Sequence, residues 1–320
     1  MTNGKNGKSV VTGGAGFIGS HLVEALLKEG VDVTVYDDFS AGRQNAALLK
    51  SEGAKIVAGD IRNRALVEKT LRGADAVFHL AAINRAQRSI ARPLEANAVN
   101  VDGTLNVLEA ARRHDVEKLV FASSSSVYGG GTRKLSEDLK LRPLHPYGVG
   151  KLAGEEYCRV YDELYGLRSV SLRYVSVFGP RQRADMEYAA VIPKFVGAIL
   201  ARKPLTVYGS GEQTRQFTFV RDTVDATLAA WKAKPSSRVW GDVFNVAAAE
   251  ETSVNEIVAA LEELAGEKAR VKREAMPKSD PLRNPIDVSK ARRVLGFKAK
   301  YSFKRGLRET FGWFKGRRRR

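Results

Sequence analysis

The chain has 320 residues, of which 43% are hydrophobic and 28% charged, a composition typical of a globular protein with one large or two ordinary domains. No apolar run approaches the roughly 18 residues that span a bilayer, and the N-terminus lacks the apolar segment of a signal peptide. We therefore expect a cytoplasmic protein. A single cysteine excludes an internal disulfide, and four histidines without ligand spacing argue against a metal site.

The formal net charge is +17, from 53 Lys and Arg against 36 Asp and Glu. Part of this charge is the final KGRRRR, which we interpret as a solvated, disordered basic tail. The other basic residues are spread along the chain without interleaved aromatic side chains, which favours a solvated surface over a nucleic-acid site. A polyanionic small substrate is also compatible with this charge.

A glycine-rich turn follows the first predicted strand, at residues 8–12. Gly13, Gly16 and Gly19 fit the spacing G-x-x-G-x-x-G, and the helix after them shows an apolar face before it stops at Gly30. Glycines let the backbone approach a pyrophosphate, and the helix N-terminus adds partial positive charge. Strand, glycines and helix in this order predict a dinucleotide site.

Two acidic residues end the second predicted strand, about 20 residues after the glycines. Asp37 and Asp38 stand where a carboxylate accepts hydrogen bonds from the adenosine ribose hydroxyls and repels a 2′-phosphate. This placement favours NAD over NADP, although the nearby Arg43 could weaken the preference. A strand-end cap is the alternative role for Asp37.

Strands and helices continue to alternate up to residue 178. Further strands are predicted at 55–60, 76–82, 118–122 and 170–178, with helices at 65–72, 93–114 and 147–165 between them. Short connections between such elements imply an α/β fold with a parallel, doubly wound Rossmann sheet and a ligand crevice at the carboxyl ends of its strands. The glycines, Asp37, Asp60, the 80–84 segment and Ser124 all fall on that edge.

After residue 178 the pattern changes to short strands and helices, which predicts a smaller C-terminal α+β substrate-binding domain. We divide the chain into residues 1–178, which would bind the dinucleotide, and 179–320. A return of the strand near 243–247 to the first domain's sheet is an alternative to this division. The stretch 267–285 is polar, contains three prolines and is predicted to be irregular, and a last helix is predicted from 288 to 295.

Tyr147 and Lys151 stand four residues apart at the start of a predicted helix, on one face and one turn apart. An ammonium one turn away favours the phenolate and can bring the phenol pKa towards the working range of a base. A serine from the run at 123–126 would complete a proton-transfer site. Taken alone, the pair is also compatible with an ordinary amphipathic helix face.

Together these residues resemble the extended short-chain dehydrogenase/reductase family, and specifically its NAD-dependent nucleotide-sugar epimerases such as UDP-glucose 4-epimerase. The resemblance runs in family order over roughly residues 8–315. It is carried by VTGGAGFIGSHL, YDDFSAGR, GDIRN, HLAA, NVDGTLNVLEAAR, FASSSSVYG, YGVGKLAGE, LRYVSVFGPRQ, VIPKF, LTVYGSGEQTRQFTFVRD, FNVA and DVSKARRVLGF.

The resemblance implies bound NAD and a reaction through a 4-keto sugar. Tyr147 would be the base, Ser124 its proton-relay partner, and Lys151 would hold the nicotinamide ribose and lower the phenol pKa. The sugar would be oxidised at C4, rotate, and be reduced on its other face. Residues implied to contact NAD are Gly13, Gly16, Phe17, Ile18, Gly19, Asp37, Asp38, Ser40, Gly42, Asp60, Ile61, Leu80, Ala81, Ala82, Asn100, Tyr147, Lys151 and Tyr174.

The serine run separates subfamilies. Similar 4,6-dehydratases carry Thr-Asp-Glu before Val-Tyr-Gly, and UDP-glucuronate decarboxylases place a Glu there, whereas this chain has Ser124, Ser125 and Ser126. Elimination without an acid–base pair would lose about 10²–10⁴-fold in rate. The pattern favours a UDP-sugar 4-epimerase. A nucleotide-4-keto-sugar reductase using NAD(P)H, or another epimerase of the family, remains the alternative, and a catalytically silent dinucleotide-binding protein is a third reading.

The second domain is implied to bind the nucleotide diphosphate. Arg215 matches the family's phosphate-binding Arg, and Tyr208, Pro193 and Lys194 lie where the base would sit. The chain departs from the family twice. Ser176 replaces an Asn that contacts the substrate, and the late Arg-Pro-Gly-Asp is absent, so that Lys278 or Arg283 would supply the second cation.

The sugar itself is left open: UDP-glucose or galactose, N-acetylated forms and glucuronate all fit. Asn84, Arg85 and Ser125 stand where the sugar would enter the site. Arg85 could favour a carboxylated sugar such as UDP-glucuronate, or it could be a surface arginine. The resemblance also implies a homodimer in which the helices near 97–113 and 147–165 form a four-helix bundle. We expect no membrane and no nucleic-acid partner.

Overall fold

The computed structural model describes residues 7–131, 133–185, 189–275 and 282–317. Its strands are β1 (Lys8–Thr12), β2 (Asp32–Asp37), β3 (Lys55–Ala58), β4 (Ala76–His79), β5 (Lys118–Ser124), β6 (Arg168–Tyr174), β7 (Leu205–Tyr208), β8 (Thr214–Arg215), β9 (Val243–Val246), β10 (Thr252–Ser253) and β11 (Val271–Glu274).

The helices are α1 (Phe17–Lys28), α2 (Gln44–Ser51), α3 (Arg64–Leu71), α4 (Ala86–Ala91), α5 (Pro93–Asn97), α6 (Gly103–Arg113), α7 (Pro146–Tyr165), α8 (Val191–Leu200), α9 (Val220–Trp231), α10 (Val254–Ala265), α11 (Ser289–Val294) and α12 (Phe303–Arg317). A π-helical turn, Ala98–Asp102, joins α5 to α6. The long helix predicted at 93–114 is therefore continuous in path but locally widened.

Seven parallel strands form the central sheet, in the order β3-β2-β1-β4-β5-β6-β9. From β1 to β3 the chain adds strands towards one edge of the sheet, and from β4 onwards it adds them towards the other edge. The order of the strands therefore reverses between β1 and β4, which leaves a crevice at their carboxyl ends. Helices cover both faces because the central strands are buried on both. One apolar cluster joins the sheet to α1 and α9, and another joins it to α3, α6 and α7. The predicted doubly wound Rossmann fold is confirmed.

Two segments beyond residue 178 belong to the large sheet. Strand β9 pairs with β6 in parallel, from Ser171 opposite Val243 to Tyr174 opposite Val246, as the sequence suggested. Helix α9 also buries Val224 and Ala226 in the cluster that covers the sheet. The chain thus leaves the large sheet after β6 and returns to it, and the division at 178–179 stays a proposal about domains.

The smaller α+β part packs α8, α10 and α12 around the two-stranded sheets β7-β11 and β8-β10. Two predictions for this part were wrong. The stretch 267–285 contains β11, which pairs in parallel with β7. The helix at 289–294 is not the last, since α12 follows it and buries Leu307 and Phe311. Lys315 and Arg317 end that helix, so this part of the KGRRRR segment is ordered.

Within the residues given above, no helix is both long and apolar enough to cross a bilayer. Over the same residues, no three His, Cys, Asp or Glu side chains are grouped so that they could hold a metal ion.

Candidate active site

A cleft of about 690 Å³ opens at the carboxyl ends of the central strands, between the sheet and the smaller part. Most of the residues singled out from the sequence line it. These are Gly13, Gly16, Phe17, Ile18, Gly19, Asp37, Asp38, Ser40, Asp60, Ile61, Leu80, Ala81, Ala82, Asn84, Arg85, Ser124, Ser125, Tyr147, Lys151, Tyr174, Ser176, Lys194, Tyr208 and Arg215.

Four of the predicted site residues do not line the cleft, and a fifth cannot be placed in it. Asn100 is buried behind the cleft, where its amide exchanges hydrogen bonds with the backbone of Ile83 at 2.8 and 3.1 Å. Gly42 lies beside the cleft with φ at +103°, Pro193 is buried in α8, and Arg283 forms an ion pair with Glu251. Lys278 lies outside the described residues. Asn100 therefore positions the segment after β4 that does line the cleft.

The glycine loop leaves no room for side chains between β1 and α1. A Cβ added to Gly13, whose φ is +68°, would lie 2.7 Å from the backbone nitrogen of Ala81, and one added to Gly19 would lie 2.2 Å from the carbonyl oxygen of Gly13. Helix α1 begins at Phe17, so its free N–H groups face the cleft. A bare backbone at a helix N-terminus is what a pyrophosphate requires, and the loop fits a dinucleotide.

Asp37 ends β2 at the edge of this loop. Its carboxylate accepts hydrogen bonds from the backbone N–H groups of Ala15, at 2.9 Å, and Phe39, at 2.8 Å. Burial nevertheless raises the pKa of Asp37, because the charged form has lost water. Asp60, after β3, is instead gripped by the Arg62 side chain, which lowers its pKa. Asp37 is thus the carboxylate built into the loop.

Tyr147 is held in the first turn of α7 by contacts from two directions. His145 caps the helix by accepting the Gly148 N–H at 3.2 Å, and the Tyr147 N–H donates to the Ser89 hydroxyl at 3.0 Å. Gly148 packs so closely on the serine run that an added Cβ would lie 2.6 Å from the carbonyl oxygen of Ser126. This contact brings the start of α7 against the end of β5, where Ser124 lies.

Burial raises the pKa of the Tyr147 phenol, while the neighbouring Ser124 hydroxyl and the positive charge of Arg85 lower it. The sequence predicted that Lys151 would supply the favourable charge. In the structure the charge of Arg85, which follows β4, also lowers the phenol pKa, and the role of Lys151 stays a prediction. Ser124 lines the cleft with Tyr147, and the predicted partnership of these two hydroxyls stays a prediction.

Lys151 lies one turn below Tyr147 and is only 4% exposed. Burial lowers the pKa of its ammonium to about 7, although the nearby Cys158 and Glu155 oppose this shift. Its Nζ atom sits 4.6 Å from the centre of the Phe121 ring, on β5. Near neutral pH this lysine is therefore only partly protonated, unlike an ordinary surface lysine.

A buried ion pair lies behind these groups. Arg173 on β6 donates to both carboxylate oxygens of Glu155 on α7, at 2.9 and 2.7 Å, and Ser123 also donates to Glu155. Arg173 reaches the Tyr128 hydroxyl at 2.7 Å, and that hydroxyl donates to Asn245 on β9. The network joins three strands to α7 and fixes Ser124 and Lys151, each of which neighbours a member of it.

Comparisons with known proteins agree with this arrangement. Residues 9–247 match the sequence profile of the NAD dependent epimerase/dehydratase family. The chain belongs to that family. It is 35% identical to a putative UDP-glucose 4-epimerase of Methanocaldococcus jannaschii, over 97% of this chain and 99% of that protein.

Solved structures of the family superpose closely on the chain. The UDP-N-acetylglucosamine 4-epimerase of Methanobrevibacter ruminantium M1, in complex with UDP-N-acetylmuramic acid, is 36% identical with a TM-score of 0.91, covering 98% of this chain and 100% of that one. The UDP-glucuronic acid 4-epimerase of Bacillus cereus, in complex with UDP-glucuronic acid and NAD, is 35% identical with a TM-score of 0.88, covering 97% and 99%.

This family member therefore depends on NAD, and the glycine loop with Asp37 is the part of the cleft that fits it. Two arginines that sequence reasoning did not assign also line the cleft. Arg181, with φ at +68°, donates to Glu24 at 2.8 Å while its buried Nη1 has no partner among the described residues. Arg183 donates to the Ala41 carbonyl at 2.9 Å. Both stand in the quoted motif LRYVSVFGPRQ or directly after it, which was the available signal.

The substrate side of the cleft is built from β6 and the smaller part. Ser176 lines it with φ at +40°, a left-handed conformation that costs a serine energy and turns the chain away from the sheet after β6. Lys194 and Tyr208 are exposed at its rim. Arg215 on β8 reaches back to the Thr214 carbonyl at 2.7 Å. These groups surround the open side opposite the glycine loop.

Proposed function

We propose that this chain is an NAD-dependent UDP-sugar 4-epimerase in which Tyr147, Ser124 and Lys151 carry the chemistry. The observation that carries the proposal is that Tyr147, Ser124 and Lys151 line one cleft together with a glycine loop fitted to NAD. The relatives named above, which are epimerases acting on UDP-sugars, support the same reading.

In this proposal Tyr147 accepts the proton of the sugar 4-hydroxyl and returns it at the end of each cycle. Ser124, which lines the same cleft and lowers the phenol pKa, would relay that proton between the sugar oxygen and Tyr147. Bound NAD supplies a hydride acceptor that later returns the hydride to the rotated 4-keto sugar. Lys151, with its pKa near 7, would bind the cofactor ribose from below the phenol.

Elimination chemistry fits the site less well because none of the described residues places a free carboxylate near Tyr147. The carboxylates that line the described part of the cleft are Asp37, Asp38, Asp60 and Glu95. The first two accept backbone N–H groups, Asp60 binds Arg62, and Glu95 lies 3.4 Å from Arg88. Ser125 and Ser126 occupy the positions where a dehydratase carries its acid and base.

The diphosphate would be bound from the smaller part. Arg215 is suited to bidentate contact with a phosphate, and Lys194 and Tyr208 stand at the same rim of the cleft. The second cation would be Lys278 or Arg283. Arg283 is already paired with Glu251, with 60% of its side chain exposed, so it would exchange one anion for another.

We also propose a homodimer formed through α7 and the helical segment from α5 to α6. Leu94 is 85% exposed, Leu164 68% and Val149 51%, and these are apolar side chains on the proposed helices that an interface would cover. Light scattering after size exclusion would then give twice the chain mass of 35.1 kDa. A mass near one chain at micromolar concentration would refute the dimer. The cytoplasmic location stays a prediction.

The test uses the purified protein without added cofactor. Mass spectrometry of the released nucleotide should find NAD, and incubation with UDP-glucose, UDP-N-acetylglucosamine and UDP-glucuronate should convert at least one to its C4 epimer. Conversion of none of them, with turnover of a 4-keto sugar only after NADH or NADPH is supplied, would replace the epimerase with a reductase.

A further inference from the structure

Arg85 occupies the start of α4, directly after the segment that follows β4. The sequence left two roles open for it, a surface residue or a substrate contact. The structure excludes the first, because the side chain lines the cleft and its Nε atom is fully shielded from water. Among the described residues, that nitrogen has no hydrogen-bond partner and Arg85 has no ion-pair partner.

A partly buried cation without a counter-charge is costly, and other shielded or neighbouring arginines of the chain avoid that cost. Arg88 and Arg92 both approach Glu95, and the more deeply buried Arg173 is paired with Glu155. Burial lowers the pKa of Arg85, but a guanidinium stays protonated near neutral pH. An anion brought by a ligand would compensate the charge.

The position of Arg85 in the cleft determines which anionic group of a ligand could bind it. Its charge acts on the Tyr147 phenol, so the guanidinium lies at the reacting end of the site. The glycine loop belongs to the cofactor phosphates, and the candidate diphosphate groups, Arg215 and Lys194, come from the smaller part. Asn84 and Ser125 are neutral polar residues that line the same cleft.

We infer that Arg85 binds a carboxylate on the sugar, so that the preferred substrate is the UDP derivative of a sugar acid. The inference rests on the proposed function and narrows its substrate class. A sugar carboxylate differs from the two other negatively charged groups, the diphosphate and the Tyr147 phenolate, because those two are present in the complex with any UDP-sugar. A carboxylate in place of a CH₂OH group should therefore be recognised selectively.

The experiment compares UDP-glucuronate with UDP-glucose, which differ only in that group. Binding to the NAD-loaded Tyr147→Phe protein is measured by calorimetry, and kcat/KM is measured with Tyr147 present. We expect UDP-glucuronate to be favoured about 10- to 100-fold in both measurements, the size of a hydrogen bond to a charged group. Arg85→Met should abolish the preference, because it should weaken the binding and lower the kcat/KM of UDP-glucuronate but not of UDP-glucose.

Two further variants keep the result interpretable. Arg85→Lys retains the charge without the planar fork and should keep part of the preference. Arg92→Met, which removes a neighbouring exposed arginine, should leave the ratio between the two sugars unchanged. If Arg85→Met does not fold, the ratio measured with Arg85→Lys still decides: an undiminished preference would overturn the inference.

The outcomes separate this inference from the proposed function. If Arg85→Met lowers kcat/KM equally for both sugars, and the loss is recovered at higher pH, Arg85 stabilises the Tyr147 phenolate. That result would overturn this inference but not the proposed function. Equal binding of the two sugars to the parent protein would do the same. Selective binding of UDP-glucuronate followed by CO₂ release and a pentose product would retain the inference and overturn the epimerase.

Discussion

Replacing Lys151 with methionine should stabilise the folded protein at pH 6 while removing its activity. Lys151 is 4% exposed, and burial lowers the pKa of its ammonium from the ordinary 10.5 to about 7. Methionine has a similar length and no charge, so the variant folds without desolvating an ammonium. The proposed catalytic role would then oppose stability at this position.

The magnitude follows from the two pKa values. Below pH 7 the folded and unfolded states both hold the proton, and the folded state bears the full cost of about 5 kcal/mol. Between pH 7 and 10.5 the folded state has released a proton that the unfolded chain keeps, so the free energy of unfolding rises with pH. The variant also loses the contact with Phe121, worth about 1–2 kcal/mol.

We therefore expect Lys151→Met to raise the free energy of unfolding by about 3 kcal/mol at pH 6 and by less than about 1 kcal/mol at pH 10. Urea unfolding of the NAD-depleted protein, followed by circular dichroism, measures both. Lys140→Met, at an exposed position, is the control and should change stability by less than about 0.5 kcal/mol. A variant that is less stable than the parent at pH 6, or a difference independent of pH, would refute the reasoning.

Three other changes test the site. Tyr147→Phe should lower epimerisation by at least about 10²–10⁴-fold while NAD stays bound, as read by product analysis and released cofactor. Glu155→Gln should lower the free energy of unfolding by about 3–5 kcal/mol because it strands Arg173, whereas Glu156→Gln on the exposed face should cost under about 1 kcal/mol; similar losses for both would contradict the buried pair. Gly19→Ala should empty the protein of NAD, since its methyl group would lie 2.2 Å from a carbonyl oxygen, while Gly312→Ala, which meets nothing within 4 Å, should retain it.

The large sheet was predictable because local pattern and long-range topology agree in it. Each buried strand up to β6 is a short apolar run, and a parallel sheet admits few connections between such runs. The glycine spacing then located the dinucleotide loop, and the carboxyl ends of the strands placed Asp37 and Ser124 on one edge. Tyr147 and Lys151 lie at that edge because the start of α7 packs in space against the end of β5.

What could not be predicted depends on contacts between distant residues. Strand β11 is polar and exposed, and it is a strand because it pairs with β7, more than 60 residues earlier. Helix α12 carries glycines and many charges, and only the packing of Leu307 and Phe311 against the smaller core identifies it. Helix spacing predicted Lys151 as the positive charge that lowers the pKa of the Tyr147 phenol. The tertiary structure adds the charge of Arg85, which lines the same cleft and was not predicted to act on the phenol.

The most direct test of the account follows the hydrogen at C4 of the sugar. The protein, with its own bound NAD and no added cofactor, is incubated with UDP-sugar carrying deuterium at C4, and the product is examined by NMR and mass spectrometry. If Tyr147 and Ser124 serve an epimerase, the C4 epimer keeps its deuterium at C4, because the same hydride returns to the sugar. Loss of the label, or a 4-keto product that accumulates until a reduced cofactor is added, would contradict the account.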